Sequence, residues 1–242
     1  MPDIFIHGAF VTVTDKFLVP LPNVISFQFN PETITHSWTV AGPVAPTVKD
    51  APNTNPLAVK SVPSEEFSFE LKLDARNLIA DGGPVTTGLT LASGLYPRLA
   101  ELEMLLFPTD PGGNSLLGGV SASLSSSGLS LSFGSTSANV RKVPELRVPT
   151  ALFVWGAARA VPVRVTRLSV NETLYDRLLN PIQASVTIGL RVLTPDELAT
   201  LCDGPAARLQ KTAYDYTHAL RKSLAVANAA TRADTVTGLL PF

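Results

Sequence analysis

Phe67-Ser68-Phe69-Glu70-Leu71-Lys72-Leu73-Asp74 is the stretch on which the fold turns. Its apolar residues alternate with serine and charged residues in a period of two, the pattern of a strand with one face in a core and the other in water. The same alternation returns where Val186, Ile188, Leu190 and Val192 interleave with Ser185, Thr187, Gly189 and Arg191. Ile25, Phe27 and Phe29 alternate with Ser26, Gln28 and Asn30, and Asn30-Pro31-Glu32 then reads as the turn that ends the strand. Val161, Val163 and Val165 open a further strand, but the next apolar pair, Leu168 and Val170, is out of phase. One extra residue near Thr166-Arg167, a β-bulge, accounts for the slip. Thr150 to Trp155 (TALFVW) is apolar on both faces and predicts a strand covered on both sides. Tyr175 to Pro181 joins two strong strands and reads as a tight connection with a buried tyrosine and a proline stop.

Two helices stand out against this β background. Leu95, Leu99, Leu102 and Leu106 fall at i, i+4, i+7 and i+11, one stripe of a helix closed by Pro108. A longer helix is predicted over 205–231, with Leu209, Ala213, Tyr216, Leu220, Leu224 and Ala227 as its stripe. Pro205 suits a first helical position and Asp203-Gly204 supply caps. At about 1.5 Å per residue that helix spans roughly 40 Å, long for one that serves only to cover a small β domain. Two segments are biased in composition. Residues 41–63, rich in Pro, Asn, Thr and Val, read as an extended loop. Residues 115–137, rich in Ser and Gly, carry alternating apolar positions on either side of Ser127-Gly128 and read as an inserted hairpin. The expected organisation is a β domain over 1–194 and a helical extension over 195–242.

The composition narrows the function. Charged residues make up 16% of the 242 and apolar ones 45%, and the mean hydropathy is +0.22. A soluble domain ordinarily carries about 25% charged residues. No stretch approaches the roughly 20 apolar residues of a spanning helix, so membrane insertion is not expected. The deficit of charge points instead either to a large compact core or to apolar surface covered by other subunits. A net charge of −1 argues against nucleic acid as the partner. The single cysteine, Cys202, cannot pair within the chain. The amino-terminal residues lack the basic and apolar regions of a signal peptide, which predicts synthesis in the cytoplasm.

A search for chemistry finds little. His7, His36 and His218 are far apart and in no metal-binding spacing. Residues 83–90 have the glycine spacing of a phosphate loop, but Leu89 stands where lysine is needed and Pro84 removes a donor. No Gly-x-Ser-x-Gly elbow is present. Asp74 and Asp81 flank a segment read as a loop, and Glu101 and Glu103 are two apart on a helix, where side chains do not face each other. No catalytic residue, cofactor or metal is expected.

Phe27-Gln28-Phe29-Asn30-Pro31-Glu32 resembles the signature near the start of the contractile injection system tube-domain family, found in baseplates of phage-tail-like particles. Phe67 to Asp74 stands where that family has its next strand, Leu95 to Leu106 where it has a helix, and Pro149 to Gly156 where it has a strand ending in Trp-Gly. Leu174 to Val186 matches a further block loosely, with Gln183 in place of the usual arginine. The blocks cover about residues 20 to 194. The wall-binding module of larger family members has no counterpart here. The resemblance implies a mainly β (α+β) fold, an antiparallel tail-tube-like β-barrel with one flanking helix, to which the long C-terminal helix is added. It implies a non-enzymatic subunit that forms a homo-hexameric ring at the baseplate end of the inner tube and adapts the spike–hub to the tube. The partners implied are further copies, the inner tube protein, the spike/hub protein and other baseplate components, within a particle that stays in the cytoplasm or is released. The repeating inner tube subunit is the alternative, and a β-barrel carbohydrate-binding module or enzyme a more distant one. The candidate interface residues are Phe67, Phe69, Lys72, Arg191, Arg208, Tyr216 and Arg221.

Overall fold

A computed structural model describes residues 6–14, 21–40, 59, 61–81, 83–107, 119–125, 128–134, 148–201 and 204–231. Cys202, most of the 41–63 loop and parts of the 115–137 insert lie outside them. Along the chain run β1 (Ala9–Thr14), β2 (Leu21–Ser26), β3 (Ile34–Thr39) and β4 (Ser64–Asp74). There follow α1 (Ala75–Asp81), α2 (Pro84–Ser93), α3 (Tyr96–Glu103) and the hairpin β5 (Gly119–Ser125) and β6 (Gly128–Gly134). Then come β7 (Ala151–Val154), β8 (Ala160–Tyr175), β9 (Pro181–Val192), α4 (Pro195–Thr200) and α5 (Pro205–Thr231). Seven strands form one antiparallel sheet in the order β2-β1-β7-β8-β9-β4-β3, and β5 pairs with β6 alone.

The alternation read in the sequence orders this sheet. Phe67, Phe69, Leu71 and Leu73 of β4 and Val186, Ile188, Leu190 and Val192 of β9 enter one core. β7 is buried from Ala151 to Phe153 and lies between β1 and β8. The register of β8 against β9 shifts between Val165 and Arg167, the bulge that the phase slip requires. Gly189 lies beside it, where an added Cβ would stand 3.2 Å from the Arg167 Cβ.

The sheet is rolled. Phe10 on β1 and Phe69 on β4 are four strands apart, about 19 Å in a flat sheet. Their ring centroids lie 6.4 Å apart, with Phe27, Phe67 and Phe153 packed around them. The roll is nevertheless open, which corrects the expectation of a closed barrel within one chain: β2 and β3 are its two edges. The cause is local. After β2 the chain leaves the ladder, the Phe27 N–H donates to the Gly8 carbonyl at 2.8 Å, and the Phe27 ring turns into the core. Asn30 fastens the turn, donating through Nδ2 to the Ile6 carbonyl and accepting from the Gly8 N–H, each at 2.9 Å. Where a backbone rung would close the roll, the Gln28 side-chain amide bridges to the end of β4. It donates to the Asp74 carbonyl at 2.7 Å and accepts from the Asp74 N–H at 2.9 Å. Phe29, expected on the core face, is exposed.

Five helices are present among the described residues, three more than the sequence reading expects. α1 and α4 are too short to display a helical period, and α1 replaces the loop expected between Asp74 and Asp81. α3 buries Leu99 and Leu102, with Leu95 just before it. The helix stops at Glu103, so the turn that follows buries Leu105 in place of the expected Leu106. Gly94, at φ +60°, makes the α2–α3 corner, where a Cβ would meet the Pro181 carbonyl oxygen at 2.4 Å. α1–α3 and the β8–β9 turn sit at one end of the roll: the Leu95 N–H donates to Pro181 O at 3.0 Å. α5 crosses the other end. It reaches Thr150 before β7, Ala160 at the start of β8, and Glu65 at the start of β4. No described helix is long and apolar enough to cross a membrane.

Candidate assembly surfaces

Two features of the described residues bear on assembly. The first is a four-stranded half of the sheet, β8-β9-β4-β3, with a polar outer face. Ser68, Glu70 and Lys72 of β4 stand opposite Gly189, Thr187 and Ser185 of β9, which in turn face Arg167, Ser169 and Asn171 of β8. β7 pairs with β8 only from Ala160 to Val163, so among the described residues β8 from Arg164 to Tyr175 is paired on one side alone. β3 is likewise paired only with β4. Every pairing across this half is antiparallel, so its two free edges run in opposite directions. β3 itself carries no lysine, no proline and no bulge, and it exposes Trp38.

The second feature is the way α5 is held. Its seat on the body is polar. Thr217, 2% exposed, donates to the Ala160 carbonyl at 2.8 Å and accepts from the Ala160 N–H at 3.3 Å. Gln210 donates to Thr150 Oγ1 at 2.6 Å, and its buried Oε1 has no partner among the described residues. Further along, Arg221 clasps the buried Glu65 carboxylate with both terminal nitrogens, and His36 Nε2 lies 2.7 Å from Glu65 Oε1. Arg159 adds a second cation, its guanidinium 5.3 Å from the centre of the Phe67 ring. Burial pushes the Glu65 carboxyl upward, but the Arg221 guanidinium, and after it His36, outweigh burial and hold it below the usual carboxylate range. His36 is held below its ordinary range by burial first, then by the charges of Arg159 and Arg221, against the pull of Glu65.

The seven candidate residues divide accordingly. Phe67 and Phe69 lie in the core, 1% and 4% exposed, so the surface of β4 is made by the residues that alternate with them. Lys72 is exposed there and pairs with Glu32 at 2.8 Å. Arg191 is half-buried and pairs with Glu197, whose own N-terminal capping box with Thr194 starts α4. Arg221 is the internal clasp just described. Arg208 and Tyr216 are exposed on α5, the latter donating to the Ala157 carbonyl at 3.3 Å. The expected stripe of α5 is not its seat: Leu209, Tyr216 and Leu224 are about half exposed. Tyr175, expected buried, is half exposed.

A shallow cleft of about 370 Å³ opens beside Lys72, between Phe29, Asp74, Thr173 and Gln183. Its carboxylate, Asp74, accepts a hydrogen bond from Gln183 at 2.8 Å. No group of three or more His, Cys, Asp or Glu side chains converges in metal-binding geometry among the described residues. No family model matches the chain, and no curated protein matches it.

Proposed function

We propose that this chain is a non-catalytic structural subunit of a contractile injection particle, forming a hexameric ring at the baseplate end of the inner tube and adapting the spike–hub to the tube. One observation carries the reading. Among the described residues the β8-β9-β4-β3 half has an even number of strands and two unpaired edges of opposite direction. When copies are turned about an axis along the strands, β3 of one copy meets β8 of the next as an antiparallel pair. A ring then continues the sheet without interruption and removes both edges. The barrel that one chain leaves open is, on this reading, completed by several. The polar outer face of that half lines the channel, and the scarcity of charge elsewhere follows from burial between copies.

The test is sedimentation velocity with negative-stain imaging of the purified chain. A hexameric ring is expected for the native protein. Thr35→Lys/Ser37→Lys, which places lysines on the β3 edge, is expected to give a folded monomer. A native protein that stays monomeric at high concentration, with no other particle component bound, overturns the proposal. The repeating tube subunit is a second reading, favoured by exposed apolar side chains at the β8–β9 turn and on α5. The number of copies per particle separates the two, many tens for a tube.

A further inference from the structure

Phe29 is an exposed aromatic ring on a fixed mount. Phe27 turns into the core and the Gln28 amide bridges to Asp74, which leaves Phe29 facing outward, 39% exposed. Its two neighbours hold it there, Gln28 by both hydrogen bonds to the Asp74 backbone and Asn30 by its bonds to Gly8 and Ile6. The ring overlooks a step in the sheet. β3 stops pairing with β4 at Phe69, so among the described residues β4 from Glu70 to Asp74 is paired with β9 alone. The cleft of about 370 Å³ lies at this step, and a second of about 300 Å³, lined by Asn30, Glu32, Thr33 and Glu70, adjoins it. Phe29 and Lys72 line both, so the two form one groove on the polar outer face of the sheet.

The polar groups beside the ring are fixed as well. Asp74 Oδ1 accepts from the Arg76 N–H in the first turn of α1, and Oδ2 accepts from Gln183 Nε2, each at 2.8 Å. Each oxygen keeps a lone pair, and Gln183 Oε1 accepts no hydrogen bond among the described residues. The charges are matched rather than of one sign. Lys72 pairs with Glu32 at 2.8 Å and Arg76 lies 3.8 Å from Asp74, which leaves Glu70 as the surplus. Such a lining suits neither an anion nor a cation, and a wholly apolar ligand would strand its donors and acceptors. A sugar meets all of it: the C–H face of the ring covers an aromatic side chain, and the hydroxyls both donate and accept. The two volumes fall within the range of small-ligand sites. We infer that the groove beside Phe29 binds a neutral oligosaccharide, with a ring face on Phe29 and hydroxyls on Asp74, Gln183 and Lys72. The groove lies wholly within one chain, so binding does not require the ring; within the proposed ring it opens on the channel.

The experiment is saturation-transfer NMR on the full chain with linear trisaccharides: α-1,4- and β-1,4-linked glucose and β-1,4-linked N-acetylglucosamine as neutral probes, trigalacturonate as an anionic one and the glucosamine trimer as a cationic one. At least one neutral trisaccharide is expected to bind with Kd of about 1 mM or tighter, ahead of both charged ones. Phe29→Ala and Gln183→Ala should each weaken it about tenfold, with the melting curve showing both variants folded. Tyr216→Ala, which removes an exposed aromatic on α5, should leave binding unchanged. The Thr35→Lys/Ser37→Lys variant should bind as the native protein does, so the sugar site and the ring fail independently. No saturable signal from any neutral trisaccharide at about 10 mM, a preference for either charged trisaccharide, or binding indifferent to Phe29→Ala overturns the site.

Discussion

Replacing Arg221 by methionine keeps most of the side-chain volume and removes its charge. Glu65, with a side chain 8% exposed, is then left with His36 as its side-chain hydrogen-bond partner among the described residues. Breaking a buried ion pair by deleting one partner costs about 3–5 kcal/mol. Because His36 remains within hydrogen-bond distance of the carboxylate, the lower end of that range applies, about 3 kcal/mol. Glu65→Gln should cost less. The Arg221 side chain is 38% exposed and rehydrates, and the amide oxygen still accepts, so the loss is about 1 kcal/mol. The double variant leaves neither charge stranded, and its cost should fall short of the summed singles by at least about 1 kcal/mol. Urea unfolding at neutral pH measures all three. Trp38 fluorescence reports the site directly, since its ring centroid lies 3.7 Å from that of His36. Additive single costs, or an Arg221→Met variant no weaker than Glu65→Gln, would refute the claim that a buried carboxylate anchors α5.

The same cluster sets a pH dependence. His36 and Glu65 both titrate lower folded than unfolded, so the folded state holds fewer protons and stability falls as pH drops. The His36 contribution is full above about pH 6.5 and declines below it, and that of Glu65 is lost below about pH 4.3, as judged from ordinary values. Denaturant midpoints measured across this range check it, and His36→Gln should remove the upper limb only. Phe153→Ala empties the centre of the aromatic core. It should cost about 3–5 kcal/mol and lower the melting temperature by roughly 10 °C, as calorimetry would record. Gly94→Ala drives a Cβ against the Pro181 carbonyl at positive φ. It should cost more than about 2 kcal/mol and loosen the α2–α3 corner in hydrogen exchange.

β4, β8 and β9 were legible because each packs one face on the core, and period two survives there even where the sheet rolls, whereas β1 and β3 were not read as strands. The bulge was legible for the same reason, since a single extra residue moves every later side chain to the other face. The open roll was not. Whether β2 meets β3 depends on where the Gln28 amide and the Phe27 ring point, and hydrophobic periodicity carries no information on either. The assembly surfaces were half legible. Lys72, Arg208 and Tyr216 lie on the surface, whereas Phe67 and Phe69 belong to the core face of the same alternation. Sequence reasoning missed the Glu65–His36–Arg221 cluster, because its members lie 29 and 156 residues from Glu65. Short range did leave one overlooked signal, Thr194-Pro195-Asp196-Glu197, a capping box that announces α4.

Gln28 gives the roll a seam. Elsewhere neighbouring strands are laced by ladders of backbone bonds, but at this line, among the described residues, the two ends of the sheet are stitched by one side-chain amide and by the aromatic rings beneath it. A sheet stitched at a single point has a built-in tear line. Under load, or as subunits are fitted around an axis, the cross-section can widen there without breaking a ladder, while the rest keeps its register.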